Sequence, residues 1–242
     1  MSNMYSDSVK QWSIFVGCEF ECIYCLGSFQ RQMKRQKRNC EQCYRYEPHY
    51  HRERLNQSLP KTRNDEFIWV ASSSDISFAS NHQIDEIIDR ILDLPDRTFL
   101  LQSKDPNVFF KHRFPLNCLL GITLETNSDL GYKRISVAPL PSIRLRLFQA
   151  LKVENRKIII IEPIMRWSYT DLFVAQIRRI KPDRVYIGYD TKGSKLPEPK
   201  LSDTLNLIER LEKFTKVKRK LIREAWNLNK SLMDYKQDPR RG

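Results

Sequence analysis

Residues 157–187 read KIIIIEPIMRWSYTDLFVAQIRRIKPDRVYI, and this stretch sets the fold class. It opens on four consecutive isoleucines, Ile158, Ile159, Ile160 and Ile161. An unbroken run of that kind suits a parallel strand covered on both faces rather than a half-exposed one. Phe173, Ile177 and Ile180 then recur at helical spacing. Pro182 stands just past them, where a proline commonly closes a helix. Residues 184–187 form a second β-branched and aromatic run. Strand, helix and strand in this order imply a parallel pair joined by a right-handed crossover.

Working outward, the same alternation recurs. Strand-like runs fall at residues 13–16, 67–71, 98–101 and 119–124. Ile84, Ile87, Ile88, Ile91 and Leu92 make one apolar helical stripe, ended by Pro95, and Leu205, Ile208 and Leu211 make another. Six strand–helix units in sequence predict an α/β fold built on a parallel sheet. Residues 1–215 are assigned to it, with residues 28–65 as a basic insertion after the first strand. Residues 216–242 are set apart as a basic extension, expected to be helical to about Tyr235 and frayed over 238–242.

Composition bounds the class. The 242 residues are 40% hydrophobic and 11% aromatic, enough apolar surface to offset chain entropy and exclude wholesale disorder. No run reaches the roughly 18 apolar residues of a membrane span, and the first ten residues lack a secretory pattern. A soluble, cytoplasmic monomer is the expectation. Lys and Arg total 42 against 29 Asp and Glu, a net charge of +13 that favours polyanionic partners. Neither a G-x-G-x-x-G fingerprint nor a P-loop string occurs, so a nucleotide site of either kind has no support.

Five of the six cysteines, Cys18, Cys22, Cys25, Cys40 and Cys43, crowd together, and Cys118 stands apart as a buried thiol. Close C-x2-C spacings in a chain of this size favour metal over disulfides. The first strand leads directly into Cys18-x3-Cys22-x2-Cys25, with Tyr24 just before the last cysteine. Three thiolates on one short loop suit either an iron–sulfur cluster or zinc.

This motif resembles the signature of the radical S-adenosylmethionine (radical SAM) superfamily. Further stretches are similar to a poorly characterised branch of it: ASSSDIS at 71–77, LQSK at 101–104, GITLETN at 121–127, IEPIM at 161–165 and IGYD at 187–190. Together they cover most of residues 12–200, each at the C-terminal end of a predicted strand, the rim where parallel barrels carry their sites. The resemblance implies a partial six-fold (β/α) barrel, in agreement with the six units counted, a 4Fe-4S cluster on Cys18, Cys22 and Cys25, SAM on the fourth iron, and an external donor of flavodoxin or ferredoxin type. It also implies an oxygen-sensitive enzyme that makes a 5′-deoxyadenosyl radical and abstracts hydrogen from its substrate.

For the cofactor the resemblance points to Tyr24 and to polar residues at the rim. The superfamily's usual Gly-Gly-Glu segment is replaced here by Ser72, Ser73, Ser74 and Asp75. Ser73 and Asp75 would meet the SAM amine; Ser103 and Lys104 would meet a carboxylate or a substrate phosphate. Glu125 and Asn127 would meet ribose hydroxyls, and Glu162 ends the fifth strand. Tyr189 and Asp190 are weaker candidates, and each of these residues has the alternative of capping a helix or facing water. Arg134, Arg144 and Arg146 are expected to be solvated charges.

Cys40-x2-Cys43-x5-His49-x-His51 is a second constellation. Two thiols and two imidazoles match tetrahedral zinc, and His49 and His51, closer than the usual finger spacing, could both bind one ion only on an extended backbone. An auxiliary iron–sulfur cluster and a pair of free cysteines are the alternatives. The basic run 31–38, the segment 51–63 and residues 217–223, with Tyr44, Tyr46 and Tyr50 interleaved among arginines, suit phosphate contact and base stacking. Two functions follow: a radical SAM enzyme acting on a nucleic acid or another anionic substrate, or a non-catalytic, zinc-stabilised nucleic-acid-binding protein.

Overall fold

The computed structural model describes residues 5–235. Its strands are β1 (Ser8–Trp12), β2 (Phe15–Gly17), β3 (His49–Tyr50), β4 (Phe67–Val70), β5 (Ser73–Ser74), β6 (Phe99–Ser103), β7 (Cys118–Thr123), β8 (Lys157–Ile161), β9 (Arg184–Ile187) and β10 (Lys216–Arg219). The helices are α1 (Leu26–Met33), α2 (Glu41–Arg45), α3 (Asn81–Leu92), α4 (Val108–Lys111), α5 (Pro141–Ala150), α6 (Thr170–Ile180) and α7 (Leu201–Glu212). Seven strands form one sheet in the order β1-β4-β6-β7-β8-β9-β10, and β3-β2-β5 form a smaller one. The expected α/β class, a parallel sheet of the partial-barrel type, is what the chain adopts.

The chain divides into two compact units. The first comprises residues up to Glu19, Gly27–Gly121 and Leu151–Arg156; the second comprises Phe20–Leu26, Ile122–Ala150 and Lys157 onward.

In the first unit β1 pairs in parallel with β4, and β4 with β6. Helix α3 starts where Ser80 and Gln83 cap each other reciprocally, with Gln83 N–H donating to Ser80 Oγ at 3.3 Å and Ser80 N–H donating to Gln83 Oε1 at 2.9 Å. Ile84, Ile87 and Ile91 bury its inner face, whereas Leu92, expected in that stripe, is 58% exposed. The insertion is tied down along its length. Trp12 Nε1 donates to Arg54 O at 2.9 Å, Arg54 Nη1 to Ser13 O at 2.5 Å and His51 N to Ile14 O at 2.8 Å. Arg90 and Arg97 reach back to the carbonyls of Leu55 and Leu59, each at 3.0 Å.

In the second unit β8 and β9 pair in register from Ile158↔Arg184 to Ile161↔Ile187. All four isoleucines of β8 are fully buried, and burying each one contributes about 2–3 kcal/mol relative to leaving it in water. Phe173, Ile177 and Ile180 bury the inner face of α6, which ends at left-handed Lys181 just before Pro182. Leu207, Ile208 and Leu211 bury that of α7, while Leu205 is 43% exposed.

Two expectations are corrected. The run at 13–16 is not the sheet's first strand. That place belongs to β1, while Phe15–Gly17 joins the smaller sheet. Ser8–Trp12 has little apolar signature, and pairing with β4 rather than propensity makes it a strand. The expected helix over 216–235 is also absent. Lys216–Arg219 is an edge strand parallel to β9, from Lys216↔Arg184 to Arg219↔Ile187, and lysines are a common edge device. Among the remaining described residues of this tail only a 3₁₀ turn occurs, at Leu232–Asp234. Arg223 pins the segment with two bonds to Glu198, at 2.6 and 3.0 Å. The expected fraying over 238–242 lies outside the described residues.

Gly17 has φ +96, and a Cβ there would lie 2.2 Å from the Glu47 carbonyl oxygen and 2.4 Å from Pro48 N. Gly17→Ala is therefore expected to cost roughly 3 kcal/mol or more, through a left-handed backbone and a clash with main chain that cannot give way. Chemical denaturation should read this as a lower midpoint.

Candidate functional site

The first unit carries three groups of predicted residues. Cys18 directly follows β2, whose residues Val16 and Gly17 pair in parallel with Ser73 and Ser74 of β5. The serine segment therefore lies against the backbone that leads to the first cysteine. Ser72 Oγ is 3.0 Å from Ser13 Oγ, and Ser74 Oγ donates to Ala71 O at 2.9 Å.

Asp75, Ser103 and Lys104 meet, as their shared rim position suggested. One Asp75 oxygen accepts from Ser103 Oγ at 2.5 Å and from Ser77 Oγ at 2.7 Å; the other accepts from the Lys104 backbone N–H at 2.7 Å. Burial raises the Asp75 carboxyl above its ordinary value, and these four-sided hydrogen bonds, with Ser77 N–H as the fourth donor, pull it back. Asp75 thus fastens β5 to the end of β6. The Lys104 side chain is buried as well.

The third group is Cys40, Cys43, His49 and His51, whose ligand atoms all lie within 4.8 Å of one another. Cys40 is the N-cap of α2, and its sulfur accepts from Cys43 N–H at 3.4 Å. The two histidines sit two residues apart across β3, so both rings fall on one side of an extended backbone. Burial and the neighbouring Cys40 sulfur push the Cys43 thiol up to about 11. The basic run nearby is exposed at Arg31, Lys34, Arg35, Lys37 and Arg38. Tyr46, expected to be available for base stacking, is instead buried and stacks on Phe29 with centroids 5.4 Å apart.

In the second unit Cys22 and Cys25 occupy one turn, with the N–H groups of Cys25 and Leu26 both donating to Cys22 O at 2.9 Å. The Cys22 sulfur is buried, 3.1 Å from Ser136 Oγ. Between the two cysteines, Tyr24 points inward and donates to Glu125 Oε1, a bond that Tyr132 shares at 3.0 Å. Arg144 Nη1 closes the group on Glu125 Oε2 at 2.8 Å and on Thr123 O at 2.5 Å. Burial, followed by nearby acidic groups, raises the Tyr24 hydroxyl well above its usual value, so it stays a donor at all ordinary pH. Arg144 stacks over the Tyr132 ring at 4.9 Å and is fully buried. The expectation of a solvated Arg144 is overturned, because Glu125 supplies the counter-charge that makes its burial tolerable.

Glu125 is thus placed inside the unit, with both oxygens taken by protein groups. Asn127 is engaged likewise: its Nδ2 donates to Gln176 Oε1 at 3.0 Å, and its Oδ1 accepts from Ser168 N–H at 2.9 Å. Glu162 differs. Lys220 Nζ bonds Oε1 at 2.5 Å, but Oε2 is buried and has no partner among the described residues. Burial raises the Glu162 carboxyl, and Lys220 opposes that shift. Asp190 accepts from the N–H groups of Lys192 and Ser194, and Tyr189 OH lies 2.7 Å from Thr204 Oγ1, so both are used locally. Arg134 Nη1 donates to the carbonyls of Met233 and Tyr235, at 3.1 and 2.5 Å. Cys118 opens β7 fully buried, with burial raising its thiol. Ser136, Tyr132, Arg144 and Lys220 were not singled out as partners of the predicted residues. A serine beside a cysteine and a buried arginine leave no periodic signal. No disulfide joins any of the six cysteines.

The fold has a solved counterpart. A point mutant of a spore photoproduct lyase matches with a TM-score of 0.53 at 15% identity, covering 86% of this chain and 62% of that one. The chain thus spans less than two thirds of that protein's length, and the likeness is one of fold. No family model matches the chain, and no curated protein matches its sequence. No helix among the described residues is long and apolar enough to cross a membrane.

Removing the Arg144 guanidinium leaves Glu125 charged and buried without a cation. Arg144→Ala is expected to destabilise the fold by about 3–5 kcal/mol. The exposed pair Arg45–Glu41, also an arginine–carboxylate contact, should cost under about 1 kcal/mol when broken. Urea midpoints of the two variants check the contrast.

Proposed function

We propose that this protein is a radical SAM enzyme, with a 4Fe-4S cluster held by Cys18, Cys22 and Cys25. The observation that carries this is the Cys-x3-Cys-x2-Cys spacing on a loop that directly follows β2, in a chain built on a parallel α/β sheet. The donor set fits the group: three cysteine sulfurs outside any disulfide, soft ligands suited to iron, with Cys22 and Cys25 on a single turn. The fold's likeness to a lyase gives further support. When bound, the cluster and SAM would supply reductive cleavage to a 5′-deoxyadenosyl radical that takes a hydrogen atom from substrate.

The protein's own residues would serve that chemistry in distinct ways. Tyr24, anchored by Glu125, Tyr132 and Arg144, would hold the Cys22–Cys25 turn in one conformation. Ser136 Oγ, which donates to Phe20 O at 2.9 Å and lies 3.1 Å from the Cys22 sulfur, would help to place that ligand. Asp75 would fix the Ser73 and Ser103 segments at the rim. Glu162, with its unpartnered Oε2, would accept from an ammonium or hydroxyl of the bound molecules. Asn127 would brace the end of β7 rather than touch ribose. A reduced flavodoxin- or ferredoxin-type protein would supply the electron.

The finer reading is a nucleic-acid substrate. A net charge of +13 and the exposed basic run at 31–38 support it, since clustered cations displace counterions from a phosphate backbone. A second reading, a zinc-stabilised nucleic-acid-binding protein without catalysis, is favoured by the convergence of Cys40, Cys43, His49 and His51.

Anaerobically reconstituted protein is expected to be brown and, with dithionite and SAM, to release 5′-deoxyadenosine. Cys22→Ala should abolish colour and cleavage, while Cys118→Ala leaves both intact. A colourless reconstituted protein that leaves SAM whole would falsify the enzyme and favour the second reading. Affinity for a DNA or RNA duplex should fall log-linearly with salt concentration; binding unchanged at high salt would exclude a polyanion substrate.

A further inference from the structure

We infer that Cys40, Cys43, His49 and His51 bind one zinc ion in a closed tetrahedral site, and that this ion fixes the backbone that delivers Cys18. The first half stands on the site's own geometry; the second rests on the proposed iron–sulfur reading.

The histidines argue for a cation. His49 Nδ1 lies 2.7 Å from Glu47 O, and His51 Nδ1 lies 2.7 Å from Glu53 Oε1. Each acceptor draws the ring proton to Nδ1, which leaves both Nε2 atoms as bare lone pairs. Yet those Nε2 atoms face each other at 2.8 Å. Two lone pairs at that distance repel unless a cation lies between them. Oxygen acceptors on the outer nitrogens are also the usual second shell of metal-bound histidines.

The sulfurs complete the set. Cys43 Sγ lies 3.1 Å from His51 Nε2 and 3.2 Å from His49 Nε2, and Cys40 Sγ lies 3.4 Å from His49 Nε2. Zinc bonds of about 2.0–2.3 Å at tetrahedral angles put neighbouring ligands roughly 3.3–3.8 Å apart, so the four atoms need only open slightly around one ion. A two-iron cluster with two histidines would seat the imidazoles and the thiolates on different irons. Here each sulfur lies beside an imidazole nitrogen, which selects a single ion. Four protein ligands leave no open position, so the site is structural rather than catalytic.

Its place in the first unit gives it a task. His49 is register partner to Val16 on β2, and Glu47 and Pro48 press on Gly17. The next residue is Cys18. An ion holding His49 and His51 to α2 therefore holds β3 in place along the last residues before the cluster loop.

The test uses the full chain with Cys18→Ser, Cys22→Ser and Cys25→Ser, so that the first loop binds no metal. Zinc analysis by mass spectrometry is expected to find one zinc per chain, and zinc X-ray absorption two sulfur and two nitrogen ligands. Replacing zinc by cobalt(II) should give the intense visible bands of a tetrahedral thiolate site. Cys43→Ala or His51→Ala in this background should lose the ion. A chain that retains its circular dichroism yet carries no zinc, with an imidazolium–imidazole hydrogen bond in place of the ion, would overturn the site, as would iron with inorganic sulfide at Cys40 and Cys43. The second half is read with the cluster cysteines intact: removing zinc by chelation should lower anaerobic iron loading several-fold, and restoring zinc should recover it. Unchanged loading would overturn the positioning role while leaving the zinc site standing.

Discussion

Gly17 sits where the first unit leaves no room for a side chain. A single backbone strand, β2, is flanked there by β3 on one side and by β5 on the other, and the carbonyl of Glu47 occupies the space a side chain would need. That approach is open only to glycine, because any Cβ would overlap main-chain atoms and the φ angle is left-handed. Three sequence features that look independent are brought together by it: the first cysteine of the triplet, the two histidines of the insertion and the serine segment after β4. The insertion is thus fastened into the fold at the strand from which the cysteine loop departs. Hydrogen bonds from Trp12 and Arg54 across the same joint reinforce it.

The second unit solves a different problem, the burial of charge. Glu125 and Arg144 are both 0% exposed, a cost that only pairing and hydrogen bonding offset. The carboxylate takes two tyrosine hydroxyls and one guanidinium, and the guanidinium adds a backbone carbonyl and an aromatic face. A network joined at several points tolerates little movement, and one of its members is Tyr24, between two cysteines of the triplet. Rigidity at the cysteine turn is therefore generated by a salt bridge outside the motif. Polar residues at the strand ends divide accordingly. Asp75, Glu125 and Asn127 hydrogen-bond within the protein, whereas Glu162 Oε2, like Arg144 Nε and Nη2, is buried without a partner among the described residues. Such atoms are costly to leave unsatisfied, and the one on Glu162 supports the proposed contact with a bound molecule.

Much of this was legible in the sequence by itself. The isoleucine run at 158–161 and the helical repeat from Phe173 to Ile180 define a buried strand and an amphipathic helix, because those periods are properties of the local backbone. The Cys-x3-Cys-x2-Cys and Cys-x2-Cys…His-x-His spacings are likewise local, so the candidate metal ligands could be named from their order along the chain. Only the tertiary structure decided the rest. Ser8–Trp12 and Lys216–Arg219 are strands because a neighbouring strand offers them hydrogen bonds, although their side chains are largely polar. Arg144 is buried because Glu125, 19 residues away in sequence, meets it at 2.8 Å. Tyr46 is withdrawn from the surface by Phe29. In each case the determining partner is distant along the chain. Propensity and spacing act over a few residues, whereas the cost of burying a charge or leaving a backbone group unpaired is settled only when the fold closes around it.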